Sequence, residues 1–178
     1  MKAILRDFLS RTPYALAMGI GGALIFVWVQ VFNQPIDVAI YVGERAVEIG
    51  GYPEHFVSPI GWTTHIAISL SYAFLCAAVA SLPPVRAAGR SLVVSIPVAI
   101  GVGLVLGYVT TVIAYPAIVI TTSFLGGAGF PKNTWEIGVN WGQVFIPLVN
   151  HLWFYPVGLL ITGVLPDALR DRRRLTAA

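Results

Sequence analysis

Residues Pro59 to Leu82 read PIGWTTHIAISLSYAFLCAAVASL, 24 residues without an Asp, Glu, Lys or Arg. At about 1.5 Å per helical residue, such a run crosses roughly 30 Å of hydrocarbon with about a turn to spare. One histidine, His65, stands near its start. Residues Val144 to Leu165, VFIPLVNHLWFYPVGLLITGVL, repeat the design around His151. An ionisable side chain inside a membrane span is expensive to place and marks a functional-site hypothesis.

The rest of the chain has the same character. Of its 178 residues, 57% are hydrophobic and 11% charged, against roughly 25% charged in an ordinary soluble domain. Four uncharged runs stand out, Tyr14–Phe32, Ile60–Leu82, Ser91–Leu125 and Gln143–Leu165. In lipid every backbone polar group must be satisfied internally, so these runs are helices; the two-residue alternation of a membrane barrel is absent from all four. The sequence therefore predicts an all-α membrane protein, a single membrane domain over 1–178 built as a four-helix bundle, with transmembrane helices at about 14–32, 60–82, 92–114 and 143–165.

Lys2, Arg6 and Arg11 ahead of the first run imitate a signal peptide, but the run is too long for an h-region and no A-x-A-like site closes it, so an uncleaved first span is expected. With the N-terminus cytoplasmic, nine Lys and Arg lie inside and two, Arg45 and Lys132, outside. This distribution predicts both termini on the cytoplasmic side of the membrane. The overall +3 then hides about +6 inside and −3 outside, so the basic balance reflects topology and points to no nucleic-acid partner. Cys76, the single cysteine, can form no intramolecular disulfide.

Two outer segments, 33–59 and 117–142, carry pattern of their own. Asp37 can cap a helix, and DVAIYVGERAVEIG sets Asp37, Tyr41, Glu44 and Glu48 against Val38, Ala39, Val42, Ala46 and Ile49. That division predicts a helix lying in the outer interface, ended by Gly50-Gly51. Ser91–Leu125 is too long for one span, and a helix broken or kinked at Pro116 is expected, with 117–142 re-entrant or flat on the membrane. Small residues four apart, Ala15/Gly19/Ala23 and Gly103/Gly107/Thr111, provide close-packing faces; such faces serve contacts within the chain, a homo-oligomer or a larger membrane complex alike.

Polar residues in the two histidine spans form stripes. His65, Ser69, Tyr72 and Cys76 stand at i, i+4, i+7 and i+11, as do His151, Tyr155, Gly158 and Thr162. Both spans run from outside to inside, so the two histidines share a leaflet, and a common polar pocket of Thr64, His65, Ser69, Tyr72, Asn150, His151, Tyr155 and Thr162 is expected. Glu48, Glu54, His55 and Glu136 would form an acidic vestibule outside it. Four uses of the histidines compete: neutral hydrogen-bonded packing, proton response at an ordinary pKa near 6.5, axial ligation of one haem b by His65 and His151, and a metal held with His55 or a carboxylate. A haem-bearing redox subunit and a structural accessory subunit are thus alternatives to a proton-responsive protein. No C-x-x-C-H, P-loop, G-x-S-x-G or H-E-x-x-H occurs, and no enzyme nucleophile is identified. The basic tail PDALRDRRR attracts anionic lipid head groups.

The layout of THIAISLSYAFLCA, the Pro116-containing third run and NHLWFYPVGLLITGVLPDALRDRRR resembles the YagU family of small bacterial inner-membrane proteins over roughly residues 55 to 175. Thr64-His65 matches its Thr-His span start and His151-x-Trp153 its final His-x-Trp. The resemblance implies an inner-membrane protein associated with acid resistance, acting in the response to low external pH. Asn33-Gln34-Pro35 departs from the more proline-rich segment of that pattern.

Overall fold

Every regular element in the computed structural model is helical. It describes residues 2–33, 37–88, 91–130 and 145–176; the side chains of 29–33, 88, 115, 145–147 and 171–176 fall outside that description. Helix α1 runs Lys2–Asn33, α2 Val38–Gly50, α3 Val57–Ala80, α4 Pro83–Ala88, α5 Leu92–Leu125, α6 Phe145–Leu159 and α7 Leu165–Thr176. A 3-10 turn, Glu54–Phe56, leads into α3, and a π-helical turn, Leu160–Val164, joins α6 to α7. Among the described residues three helical segments are long and apolar enough to cross a membrane: Glu54–Ala80, Leu92–Ala114 and Leu148–Arg170. The apolar run of α1 ends among residues whose side chains are not described.

The helices pair as α1 on α3, α5 on α6 and α2 on α3. Small residues set these contacts. A Cβ at Gly103 would strike the backbone of Pro156, and one at Gly107 would come within 2.7 Å of the His151 carbonyl oxygen. Two helix backbones therefore touch where His151 leaves α6, the close approach that small residues permit. The core between the helices holds Ala15, Met18, Phe26, Ala73, Cys76, Ala77, Phe154, Tyr155 and Leu159, while Leu16, Ile20, Leu24, Val93, Val105 and Val109 face outward. One end of the bundle carries Lys2, α4 and α7 and is called basal here; the apical end carries α2 and the close of α5.

Asp37 caps α2, its Oδ1 accepting from Ala39 N at 2.9 Å and Ile40 N at 3.2 Å, and Gly51 closes it at φ 60°. Its placement differs from the expected surface helix. Ala39, Val42, Gly43, Ala46 and Val47 are buried, and Gly43 and Gly61 meet face to face, each at the other helix's backbone (Val57 and Ala39 carbonyls). The apolar face of α2 is thus spent on α3 and not on a membrane surface, and α2 climbs antiparallel along the start of α3. Glu44 and Glu48 face out as the pattern requires.

Pro116 does not end α5. The helix continues through it to Leu125, for 34 residues. Proline removes one hydrogen bond and crowds the preceding turn, costing roughly 3 kcal/mol, whereas terminating there would orphan four carbonyls. The extension also rests on α2, with Gly126 against Ile49 and the Tyr52 hydroxyl donating to Leu125 O at 3.1 Å. Residues 117–125 are therefore helix, and 126–130 a turn with Gly127 and Gly129 at positive φ. The expected element over 131–142, including Glu136, lies outside the described residues.

Candidate functional site

Phe26 of α1 is the meeting point of the two histidine stripes. Its ring centroid is 5.4 Å from that of His65 and 5.9 Å from that of His151. His65 is 5% exposed and its Nε2 lies 3.1 Å from Ala23 O, so Nε2 carries the proton and donates across to α1. Trp62 stands edge-on to the same imidazole at 6.0 Å. His151, 4% exposed, is held from α5, with Nδ1 3.1 Å from Thr110 Oγ1. That hydroxyl is also 2.8 Å from Leu106 O. A hydroxyl has one proton, and given to Leu106 O, the back-bond common for a helical threonine, it leaves His151 to donate from Nδ1 and to keep its lone pair on Nε2.

Two tyrosines complete the centre. Tyr72 contacts His151 edge-on at 5.3 Å and Tyr155 at 5.4 Å. Tyr155 is fully buried, and its hydroxyl lies within reach of the Thr110 side chain without a hydrogen bond of ordinary geometry. Asn150 accepts from Trp153 Nε1 at 3.4 Å, Thr162 donates to Gly158 O at 2.7 Å, and Cys76 Sγ lies 4.0 Å from Tyr155 O. Thr64 and Ser69 are buried on α3. The expected pocket is thus gathered as a packed centre in its upper part, His65, Tyr72, His151 and Tyr155 around Phe26, while Thr162 lies about 11 residues below His151, roughly 16 Å along the helix. Tyr72 lies level with His151 and Tyr155, which sets His65, seven residues earlier on the parallel α3, about 10 Å nearer the apical end than Tyr72.

Of the expected acidic vestibule, Glu48, Glu54 and His55 are described and exposed. Glu48 pairs with Arg45 on the surface. His55 stacks on Phe56 in the exposed 3-10 turn beside Glu54. None of these touches an imidazole. Asp37 is the carboxylate whose field reaches His65, and its side chain is committed to the α2 amides. Among the described residues no group of three or more His, Cys, Asp or Glu is placed to hold a metal ion.

The basal end holds a second polar centre that sequence reasoning passed over as a topology signal. Arg11 is fully buried. Its Nε donates to Asp7 at 2.9 Å, Nη1 to Thr162 O at 2.9 Å and Gly163 O at 2.8 Å, and Nη2 to both oxygens of Asp167 at 3.1 and 3.0 Å. These five bonds match the five N–H donors of a guanidinium. The two carbonyls belong to the π-turn, where Leu165 N bonds back to Leu160 O; a π-turn takes its carbonyls out of the ordinary i to i+4 pattern and commonly marks a functional place in a helix. Arg170 joins from α7, to Asp7 at 3.1 Å, to Asp167 at 3.2 Å and to the Ser10 hydroxyl, and Arg86 lies 3.7 Å from Asp7. Burial pushes the Asp7 carboxyl up, but the hydrogen bond and charge of Arg11, with Arg170 and Arg86, outweigh it and hold its pKa below the usual value. The sequence signal was present: Arg11 lies within three residues of the first apolar run, four after Asp7, and Asp167 opens the segment that follows the last.

Fold and site together define the class, an all-helical protein with apolar helices compatible with a membrane and two buried polar centres, one aromatic and histidine-bearing, one ionic. Comparison with family models, curated proteins and solved structures finds no match for the chain.

Proposed function

We propose that this is a four-span bacterial inner-membrane protein, both termini cytoplasmic, that responds to low external pH through the His65–His151 centre. The observation that carries the reading is the partner set of the two imidazoles. Each is buried in the apical half of the bundle against neutral groups, Ala23 O for one and Thr110 Oγ1 for the other. An added proton would set a positive charge among Phe26, Trp62, Tyr72 and Tyr155 with no carboxylate in contact, and buried charge is tolerated only when paired and hydrogen-bonded. Protonation and the present packing therefore exclude one another. A change in proton supply on the outer side becomes a change in how α1, α3, α5 and α6 meet. The YagU-like Thr64-His65 and His151-x-Trp153 patterns point the same way, as does the basic count at the basal end.

Trp62 supplies the test. Imidazolium quenches indole emission on contact, and Trp62 stands edge-on to His65. In proteoliposomes taken from about pH 7.5 down to about pH 3, far enough below the ordinary imidazole value near 6.5 to charge a ring that burial keeps neutral, emission falls in the wild type. The fall is smaller in His65→Ala and in Trp62→Phe. Identical titrations in wild type and His65→Ala, together with unchanged acid survival of cells carrying His65→Ala and His151→Ala, would overturn the proposal.

A further inference from the structure

The basal network leaves two guanidiniums looking outward. Arg11 has spent all its donors, but the side chains of Arg86 and Arg170 are 45% and 39% exposed. Arg86 makes one contact among the described residues, its Nε at 3.7 Å from Asp7. They reach this place from different elements, α4 and α7, and both are oriented by the Asp7 carboxylate. Counted with Arg11 and Asp167, the cluster holds three guanidiniums against two carboxylates and keeps one net positive charge. Both carboxylates turn inward to Arg11, so that surplus charge sits on the rim.

Directly beside this rim a small cleft of about 20 Å³ lies between α4, α5 and the π-turn, lined by Val85, Ser95, Val98, Val102 and Val164, with Asp167 on its edge. The juxtaposition has the polarity of a phospholipid: fork-shaped donors suited to a phosphate at the level where head groups lie, and beside them a surface of half-buried valines, Val85, Val98, Val102 and Val164, against which a chain can lie. A free phosphate would use only the first half. We propose that the α4–α7 corner binds one anionic phospholipid, with its phosphate on Arg86 and Arg170 and an acyl chain lying against the valines at the mouth of the cleft. The site rests on the chain's crossing a membrane and is independent of the pH response.

The test uses full-length protein purified in mild detergent, supplied with phosphatidylglycerol or phosphatidylcholine, and native mass spectrometry to count the lipid retained. Phosphatidylglycerol should be kept over phosphatidylcholine. Arg86→Gln should weaken that retention about fivefold, the factor equivalent to roughly 1 kcal/mol per basic residue at an anionic surface, and Arg86→Lys should recover part of it. Val98→Phe, which fills the cleft without touching charge, should also reduce retention while the circular dichroism spectrum is unchanged. Equal retention of the two lipids, indifference to both Arg86→Gln and Val98→Phe, or complete displacement by inorganic phosphate would overturn the proposal. Carbonate extraction of membranes, run on the same variants, separates failure of this site from failure of the membrane reading.

Discussion

Replacing Arg11 by Met removes the guanidinium and keeps most of the side-chain volume. The wild-type group makes five hydrogen bonds, three of them to Asp7 and Asp167 and two to the carbonyls of Thr162 and Gly163. Breaking a buried ion pair by deleting one partner costs about 3–5 kcal/mol, and a carbonyl left without its partner costs about 1–3 kcal/mol. These do not simply add. Asp7 keeps Arg170 at 3.1 Å, and the Asp167 side chain is 24% exposed and can be reached by water. We therefore expect Arg11→Met to lower stability by about 3–5 kcal/mol in total, measured by titrating the protein in mild detergent with dodecyl sulfate and following helix content. Arg11→Lys, with three donors on a single nitrogen, should recover no more than about half. Arg6→Met, at an exposed position one turn earlier, should stay within about 0.5 kcal/mol. If Arg11 were only a topology signal, its replacement would cost under about 1 kcal/mol, as for an exposed ion pair, and that result would refute the reasoning.

Two further substitutions probe the packing that places the histidines. Gly43→Ala sets a Cβ against the Val57 carbonyl, where only backbone could yield; α2 should lift from α3 at a cost of about 1–3 kcal/mol, with faster hydrogen exchange over 38–50, while Gly101→Ala, which meets nothing within 4 Å, should be neutral or slightly stabilising. Tyr155→Phe removes a buried hydroxyl without a hydrogen bond of ordinary geometry and should change stability by less than about 0.5 kcal/mol or improve it; a loss above about 1.5 kcal/mol in the same titration would show that the hydroxyl is hydrogen-bonded.

How much of this could be read from the chain depends on whether the determinant is local. The apolar runs show directly as α3 and the greater part of α5 and of the α6–π–α7 path, because length and absence of charge are properties of the segment itself. The Asp37 cap and the Gly50-Gly51 stop are likewise local. The i, i+4, i+7 stripes put His65 and Tyr72, and His151 and Tyr155, on inward faces, since helical period alone decides a face. What period cannot give is the partner. Phe26 and Thr110 carry no pattern of their own, yet one touches both imidazoles and the other fixes a tautomer, because α1 and α5 arrive there by tertiary packing. The glycine contact of α2 with α3 is missed for the same reason: amphipathicity says that a face is covered, not by what. Arg11 is the plainest case. A basic residue beside an apolar run reads as an anchor, and only the meeting of α1 with the π-turn converts it into the centre of a buried network.

On the proposed reading the two polar centres answer acid differently, giving the bundle a fixed end and a responsive one. Asp7 titrates below the ordinary carboxylate value because Arg11, Arg170 and Arg86 outweigh its burial. A carboxyl depressed in the folded state contributes stability that is fully present above its unfolded pKa, near 3.9, and is lost only as pH falls through the lower folded value. Through mild acid Asp7 therefore keeps its charge and its bond to Arg11, whose guanidinium keeps its grip on the π-turn. The imidazoles at the other end of the same helices are the groups on which the proposed response to acid rests. A proton arriving there cannot slide α6 as a whole, because Arg11 holds Thr162 and Gly163; nor can it move the lower part of α1, which carries Arg11 itself. The rearrangement that the proposal requires is then confined to the apical reach of α1, α3, α5 and α6, and its way outward is through α2, whose backbone rests on the first turns of α3 at Gly43 and Gly61.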